Sequence, residues 1–189
     1  MNSREKVFFE SFREVVKAIH STLDIRQVLQ MLATKVSQVM NLKGCAIRLL
    51  DPTKRTLELV AAHGLSEKYI SKGAVAADRS IAEAMEGKTV SIYNATKDPR
   101  AQYKKEAEEE GIYSIVSVPF SIKGRIIGVL RLYTSQPRNF SQEEIGFFEA
   151  LAEMGALAIE NARMYEQLRK DYENLMSDIL MFVGYRRSI

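Results

Sequence analysis

Few residues in this chain could do covalent or metal chemistry. There is one cysteine, Cys45, and there are two histidines, His20 and His63. A single cysteine allows neither an intrachain disulfide nor a CxxC redox pair. One cysteine and two histidines cannot fill an all-Cys/His structural zinc site. The sequence contains no HExxH, no Gly-rich loop ending in Lys-Ser/Thr and no GxSxG. The expectation is a protein that is not an enzyme, with no metal site; the residues name no cofactor. The acids between Glu106 and Glu110 read as solvated charge on a helix.

A different chemistry comes from polar residues set in apolar strands. Arg48 lies in Cys45–Leu50, Ser117 in Ser114–Ile122, and Arg131 and Tyr133 in Arg125–Thr134. Side chains alternate along a strand. Cys45, Ile47 and Leu49 therefore oppose Ala46, Arg48 and Leu50. Val116, Val118 and Phe120 oppose Ile115, Ser117 and Pro119. Ile126, Gly128, Leu130 and Leu132 oppose Ile127, Val129, Arg131 and Tyr133. The all-apolar sets are expected to meet a helical layer, with Gly128 letting a helix approach.

A buried guanidinium is costly unless paired. A carboxylate or phosphate can pair with it through two parallel hydrogen bonds. If these strands are neighbours, so that the arginines share one buried face, the polar set predicts a small anionic ligand. Pairing with Glu58 or Asp78, or reach to solvent, stays open. Ser80, at the start of a short helix, would offer free N–H groups to an anion. Tyr93 and Tyr103 are candidates to line a lid, with plain packing as the alternative. His63, beside Gly64, reads as a surface residue. Cys45 reads as a small buried apolar residue rather than a nucleophile.

The elements that must position these residues follow from periodicity. Ser3–His20 is a predicted helix with Phe8, Phe12, Val15 and Ile19 in one stripe and Ser3 as cap. A second helix runs over Asp24–Met40, with Ile25, Val28, Leu32, Val36 and Val39 on one side. Cys45–Leu50 and Thr56–Ala62 form a hairpin across the turn Asp51-Pro52-Thr53-Lys54. A helical turn at Glu67–Ser71 follows. Then come a short helix at Ser80–Glu86 capped by Ser80, a strand at Thr89–Tyr93, and a helix near Arg100–Glu110 ended by Gly111. Lys123-Gly124 suits a tight turn between the two clearest strands. Pro119 requires a neighbouring ladder that tolerates a missing donor. Ser141 and Glu144 form a capping box at the head of the last helix. From Leu151 that helix carries a heptad, with Leu151, Ala158, Tyr165, Tyr172 and Ile179 at a, and Met154, Asn161, Leu168, Leu175 and Phe182 at d. The predicted partner is the same helix of a second subunit, a coiled-coil homodimer. The alternative is that the helix packs on its own sheet as far as Ala162 and frays beyond.

The 189 residues suffice for one domain with its own core plus extra helix. The apolar share is 46% and the charged share 27%, with both signs interspersed, so no nucleic-acid surface is expected. No apolar run is long enough to span a bilayer, and residues 1–10 lack a signal-like apolar core. The expectation is a cytoplasmic protein with no membrane partner.

Three segments carry a resemblance: LDIRQVLQMLATKVSQVMNLKGCAIRLLD at Leu23–Asp51, EEGIYSIVSVPFSIKGRIIGVLRLY at Glu109–Tyr133, and FSQEEIGFFEALAEMGALAIENARMYEQL at Phe140–Leu168. Together they resemble the GAF family over about 23–165. The resemblance implies an α+β, GAF/PAS-like fold. A central antiparallel sheet would carry the N- and C-terminal helices on one face and a ligand pocket on the other, under the irregular middle. Residues 1–22 would be a dimerising or linking helix, and 166–189 a signalling helix extension. In the family order the three polar-bearing strands are neighbours, so Arg48, Ser117, Arg131 and Tyr133 would share one pocket face.

GAF domains usually belong to bacterial signal transduction, upstream of a histidine kinase, nucleotide cyclase, phosphodiesterase or transcription module. No output module is visible here, which fits either a fragment or a stand-alone protein. The resemblance implies a sensor of a small molecule. The alternative is a ligand-free dimerisation scaffold. Bilin attachment needs a Cys-His pair in the middle segment, which is missing. Methionine sulfoxide reductases of GAF type need more than one cysteine. The cyclic-nucleotide pattern is only echoed in Phe140–Glu144.

Overall fold

The computed structural model describes residues 3–21, 24–51, 56–73, 75–76 and 81–186. Two helices open the chain, α1 (Ser3–Ser21) and α2 (Ile25–Val39), where the three- and four-residue apolar spacing puts them. Asp24 caps α2, its carboxylate accepting the N–H groups of Arg26 and Gln27 at 2.9 and 3.3 Å. The side chain of Ser3, the expected cap of α1, lies outside the described residues.

The strands are β1 (Gly44–Asp51), β2 (Thr56–His63), β3 (Val75–Ala76), β4 (Val90–Ile92), β5 (Ile115–Ile122) and β6 (Arg125–Tyr133). They form one antiparallel sheet in the order β3-β2-β1-β6-β5-β4. Lys123 and Gly124 take φ of 51° and 76°, the left-handed conformations that a two-residue hairpin turn needs. β4 pairs only with Ile115–Ser117, so no strand lies against Pro119 on that edge.

One face of the sheet meets α1, α2 and the last helix, α6 (Gln142–Arg186). Leu32, Val36, Ile47, Val118, Phe120, Leu132, Phe148 and Leu151 meet there, all at most 1% exposed. Each such side chain contributes about 1.5–3 kcal/mol by leaving water. Phe8 of α1 stacks on Phe147 of α6 with ring centres 4.7 Å apart.

Two expectations about this face need correction. A Cβ on Gly128 would sit 2.3 Å from the Arg48 carbonyl oxygen, so Gly128 admits strand β1, not a helix. The close helix contact belongs to Gly155 of α6, where a Cβ would lie 2.5 Å from Phe120 Cε1. Alternation also breaks at one end of β6. The register slips between Phe120, opposite Gly128, and Ser121, opposite Ile126. Ile127 is the extra residue of this bulge and joins the helix-side core. Ile126 lies instead toward Gly87, 3.8 Å from where that glycine's Cβ would be.

The other face carries the middle segment: α3 (Glu67–Ile70), α4 (Ala82–Met85) and α5 (Lys104–Glu110). α4 is shorter than predicted. Ile81 holds its cap position without a side-chain bond, and Ser80 lies outside the described residues. α5 starts at Lys104 rather than near Arg100. The Asp98 carboxylate accepts from the Arg100 N–H and Nε at 2.9 and 3.0 Å, which fixes a turn there instead.

The capping box on α6 forms as predicted. Ser141 N–H donates to Glu144 Oε2 at 2.9 Å, and Glu144 N–H to Ser141 Oγ at 3.3 Å. α6 packs on the domain as far as Ala162, and residues 163–182 are exposed on every side. No helix among the described residues is long and apolar enough to cross a membrane.

Candidate functional site

Neighbouring strands β1, β6 and β5 bring the polar set together. Arg131 faces Ala46 on one side and Ser117 on the other, and Arg48 faces Val129. The two arginines are therefore diagonal neighbours on one face, with Cα atoms about 7–8 Å apart. Tyr133 follows two residues along β6 on the same face.

The guanidiniums interrupt an apolar layer. Ala46 and Tyr133 belong to one small cluster with Tyr69, Ile92 and Ile115. Leu57 and Val129 belong to another with Ile81 and Ala84, packed by Leu50 and Tyr103. Along both central strands the order is thus apolar, arginine, apolar. Such a break in a packed face needs a reason, because removing a charge from water is costly.

Arg48 is 5% exposed and Arg131 3%. Nη1 of Arg48 donates to the Leu57 carbonyl at 3.2 Å. The Nε atoms of both arginines are buried with no hydrogen-bond partner. Burial pushes the Arg48 guanidinium below its ordinary pKa, and Arg131 adds to this. Glu58 does not sit on this face: it is exposed and pairs with Leu49, between Leu57 and Leu59 of the polar side. Asp78 lies outside the described residues.

Two members of the site were not among the residues singled out from the sequence. Tyr69, in the four-residue α3, is 4% exposed and meets Tyr133 edge-on with ring centres 5.8 Å apart. Lys72 follows α3, its ammonium 3.3 Å from the centre of the Tyr69 ring and 5.5 Å from that of Tyr103. Lys72 Nζ donates to the Tyr69 carbonyl at 2.8 Å. Burial, then Arg48 and Arg131, push Lys72 down to about 7. Burial also holds the Tyr69 phenol well above its usual range. The one available signal was Tyr69 itself, a lone aromatic in a polar turn.

Tyr103 lies on this face, packed against the Leu57 cluster and next to Gly73, whose Cβ would lie 3.0 Å from the phenol oxygen. Tyr93 does not. Val90 and Ile92 turn inward on β4, so Tyr93 points outward and is 53% exposed. Ser80 lies outside the described residues, and the helix it was expected to open begins at Ala82.

Cys45 is fully buried on the helix-side face, where burial pushes its thiol pKa up. It is remote in orientation from the arginines. No group of three or more His, Cys, Asp or Glu among the described residues is placed to hold a metal ion.

Fold and face together define an α+β domain with a helix-backed antiparallel sheet and a polar break on its opposite side. The model of the GAF domain family matches residues 22–160, and the chain belongs to that family. The GAF domain of a phosphoenolpyruvate-protein phosphotransferase from Coxiella burnetii superposes with a TM-score of 0.78 at 18% identity. It covers 88% of this chain and 99% of that one. Free methionine-R-sulfoxide reductase from Neisseria meningitidis gives 0.74 at 18% identity, over 87% and 95%. Among curated relatives, the formate hydrogenlyase transcriptional activator of Salmonella typhimurium is 22% identical over 184 residues, 94% of this chain and 27% of the relative. The methyl sulfide methyltransferase-associated sensor of Methanosarcina acetivorans is 28% identical over 172 residues, 87% of this chain and 17% of the relative. The chain thus spans about a quarter or less of these relatives' length.

Proposed function

We propose that this GAF domain is a cytoplasmic sensor, not an enzyme, that binds a small anionic molecule between the polar sheet face and the middle segment. The observation that carries the reading is the pair of buried guanidiniums with unpartnered Nε atoms. A side-on carboxylate or phosphate would accept from Nε and a terminal nitrogen of the same guanidinium. Ser117, opposite Arg131, and Tyr133, beside it, are within the same face for further contacts.

Occupancy would draw α3 and the Lys72 segment toward the sheet and shift the packing of the terminal helices. α6 is the output. Its exposed residues Tyr165, Leu168, Tyr172, Leu175, Ile179 and Phe182 keep the heptad spacing, which suits a parallel pair with a second copy. Relatives that include a transcriptional activator and a sensor support a place in signal transduction. The one cysteine, buried on the far face, supports the non-enzymatic reading against a reductase-like one.

A thermal-shift screen against nucleotides, cyclic nucleotides, organic acids and amino acids tests this. A ligand at a hundredfold its Kd stabilises by about 2.7 kcal/mol, roughly 5–10 °C for a chain of this size. The expected result is such a shift for one anion class, absent in Arg48→Ala and Arg131→Ala. A second reading is a scaffold that binds nothing. It is favoured by Tyr69 and Tyr133, which are 4% and 1% exposed and fill part of the face themselves. A flat screen would select it.

A further inference from the structure

Resting on the anion-binding reading above, we infer that this site takes a small molecule carrying two negative charges, and that Lys72 is the residue that reads the second charge. The geometry supplies three cations from three separate segments. Arg48 comes from β1, Arg131 from β6 and Lys72 from the stretch after α3. Each arginine leaves Nε unpartnered, so neither guanidinium is saturated. The Lys72 ammonium is held over the Tyr69 ring rather than against an acid of the described residues.

The groups that face Lys72 among the described residues give the charge balance. Tyr69 of α3 lies beneath it, with Tyr133 of β6 behind Tyr69. Tyr103 lies on its other side. Arg48 and Arg131 act on it from the sheet, and Glu106 and Glu110 of α5 act in the opposite sense and more weakly. Glu110 is already engaged, accepting from the Ser66 N–H at 3.0 Å, from the Ser66 hydroxyl and from Lys43 at 3.2 Å. Among the described residues no acid forms an ion pair with any of these three cations, and Glu106 and Glu110 oppose them only at a distance. A dianion would meet more of this excess positive charge than a monoanion.

This arrangement couples binding to protons. Burial and the two arginines push the free Lys72 amine down to about 7, so above neutral pH it is largely uncharged. A dianion beside it restores the charge, so binding takes up a proton above about pH 7. Affinity therefore falls as pH rises, by about tenfold for each pH unit above that value.

The test is isothermal titration calorimetry on the full chain at pH 6.5, 7.5 and 8.5. The probes are malonate, succinate, glutarate and inorganic phosphate, against acetate, propionate and butyrate. The dicarboxylates stay doubly charged over this range, so their slope reports the protein. The expected result is that at least one dianion binds tenfold or more tighter than every monocarboxylate and weakens about tenfold from pH 7.5 to 8.5. The dicarboxylate and phosphate arms separate two carboxylates from one phosphoryl group. Lys72→Met should abolish both the preference and the slope. Lys72→Arg should keep the preference and lose the slope, because guanidinium does not titrate here. Monocarboxylates binding as well as dianions, or a K72M protein with wild-type affinity and slope, would overturn the inference while leaving the anion site standing. Heat signals from no probe at all, in wild type and Arg131→Ala alike, would overturn the anion site as well.

Discussion

Arg131 and Arg48 are both buried with their Nε atoms unpartnered. A buried, incompletely paired cation destabilises the fold that contains it. Replacing such a group by an apolar one of similar length is neutral or stabilising by about 1–4 kcal/mol. Arg131→Met is therefore expected to raise the urea midpoint of the ligand-free protein while removing its thermal response to anions. A fall of more than about 1 kcal/mol in urea would mark Arg131 as a structural residue. Arg48→Met is the less clean probe, because it also removes the bond to the Leu57 carbonyl, about 0.5–1.5 kcal/mol. The four strand residues of this site were legible in the residues alone. Arg48, Ser117, Arg131 and Tyr133 are polar members of apolar alternating strands, and alternation is a local property. Tyr69 and Lys72 were not legible, since a four-residue helix has no periodicity to read. Tyr93 was misplaced inward, because a strand of three residues does not reveal which parity faces the core.

At the scale of elements, the contact between α6 and the sheet is set by Gly155. A glycine inside a helix costs about 1 kcal/mol relative to alanine, so it must be recovered by packing. Here a Cβ would meet Phe120 at 2.5 Å and Leu32 Cδ2 at 2.9 Å, both in the core. Overpacking of this kind costs about 1–3 kcal/mol, which outweighs the propensity gain. Gly155→Ala is expected to lose up to about 2 kcal/mol net by urea denaturation, and a more stable variant would show that α6 can shift without loss. The same contact links the sheet to α6, the helix proposed as the output, so a shift of Phe120 on β5 would reach it directly. Most elements were readable from caps and turns. The capping box at Ser141 and Glu144 and the Lys123-Gly124 turn follow from local chemistry. The Ile127 bulge and the late start of α5 were not readable. Both come from competition between a local pattern and a partner elsewhere, β5 in one case and the Asp98 turn in the other.

The whole molecule is a domain with a long arm. α6 leaves the core after Ala162 and keeps a heptad of large apolar residues facing solvent, with Leu168 69% exposed and Phe182 64%. A parallel pairing with a second copy would cover this seam, with Asn161 as the polar register residue. Leu168→Glu with Leu175→Glu is expected to convert a dimer to a monomer by light scattering, leaving the melting of the domain within about 0.5 kcal/mol. A wild-type chain that is monomeric at high micromolar concentration would remove the pairing from the proposal. The sequence by itself determined the long helices, the β5–β6 hairpin, the capping box of α6 and most of the two faces of each central strand, because periodicity, capping and turn chemistry act over a few residues. Only the tertiary structure decided that Lys72 and Tyr69 come within electrostatic reach of two arginines from β1 and β6, and that Gly128 serves a strand while Gly155 serves a helix. Those facts depend on sheet register and long-range packing, which no local stretch of the chain encodes.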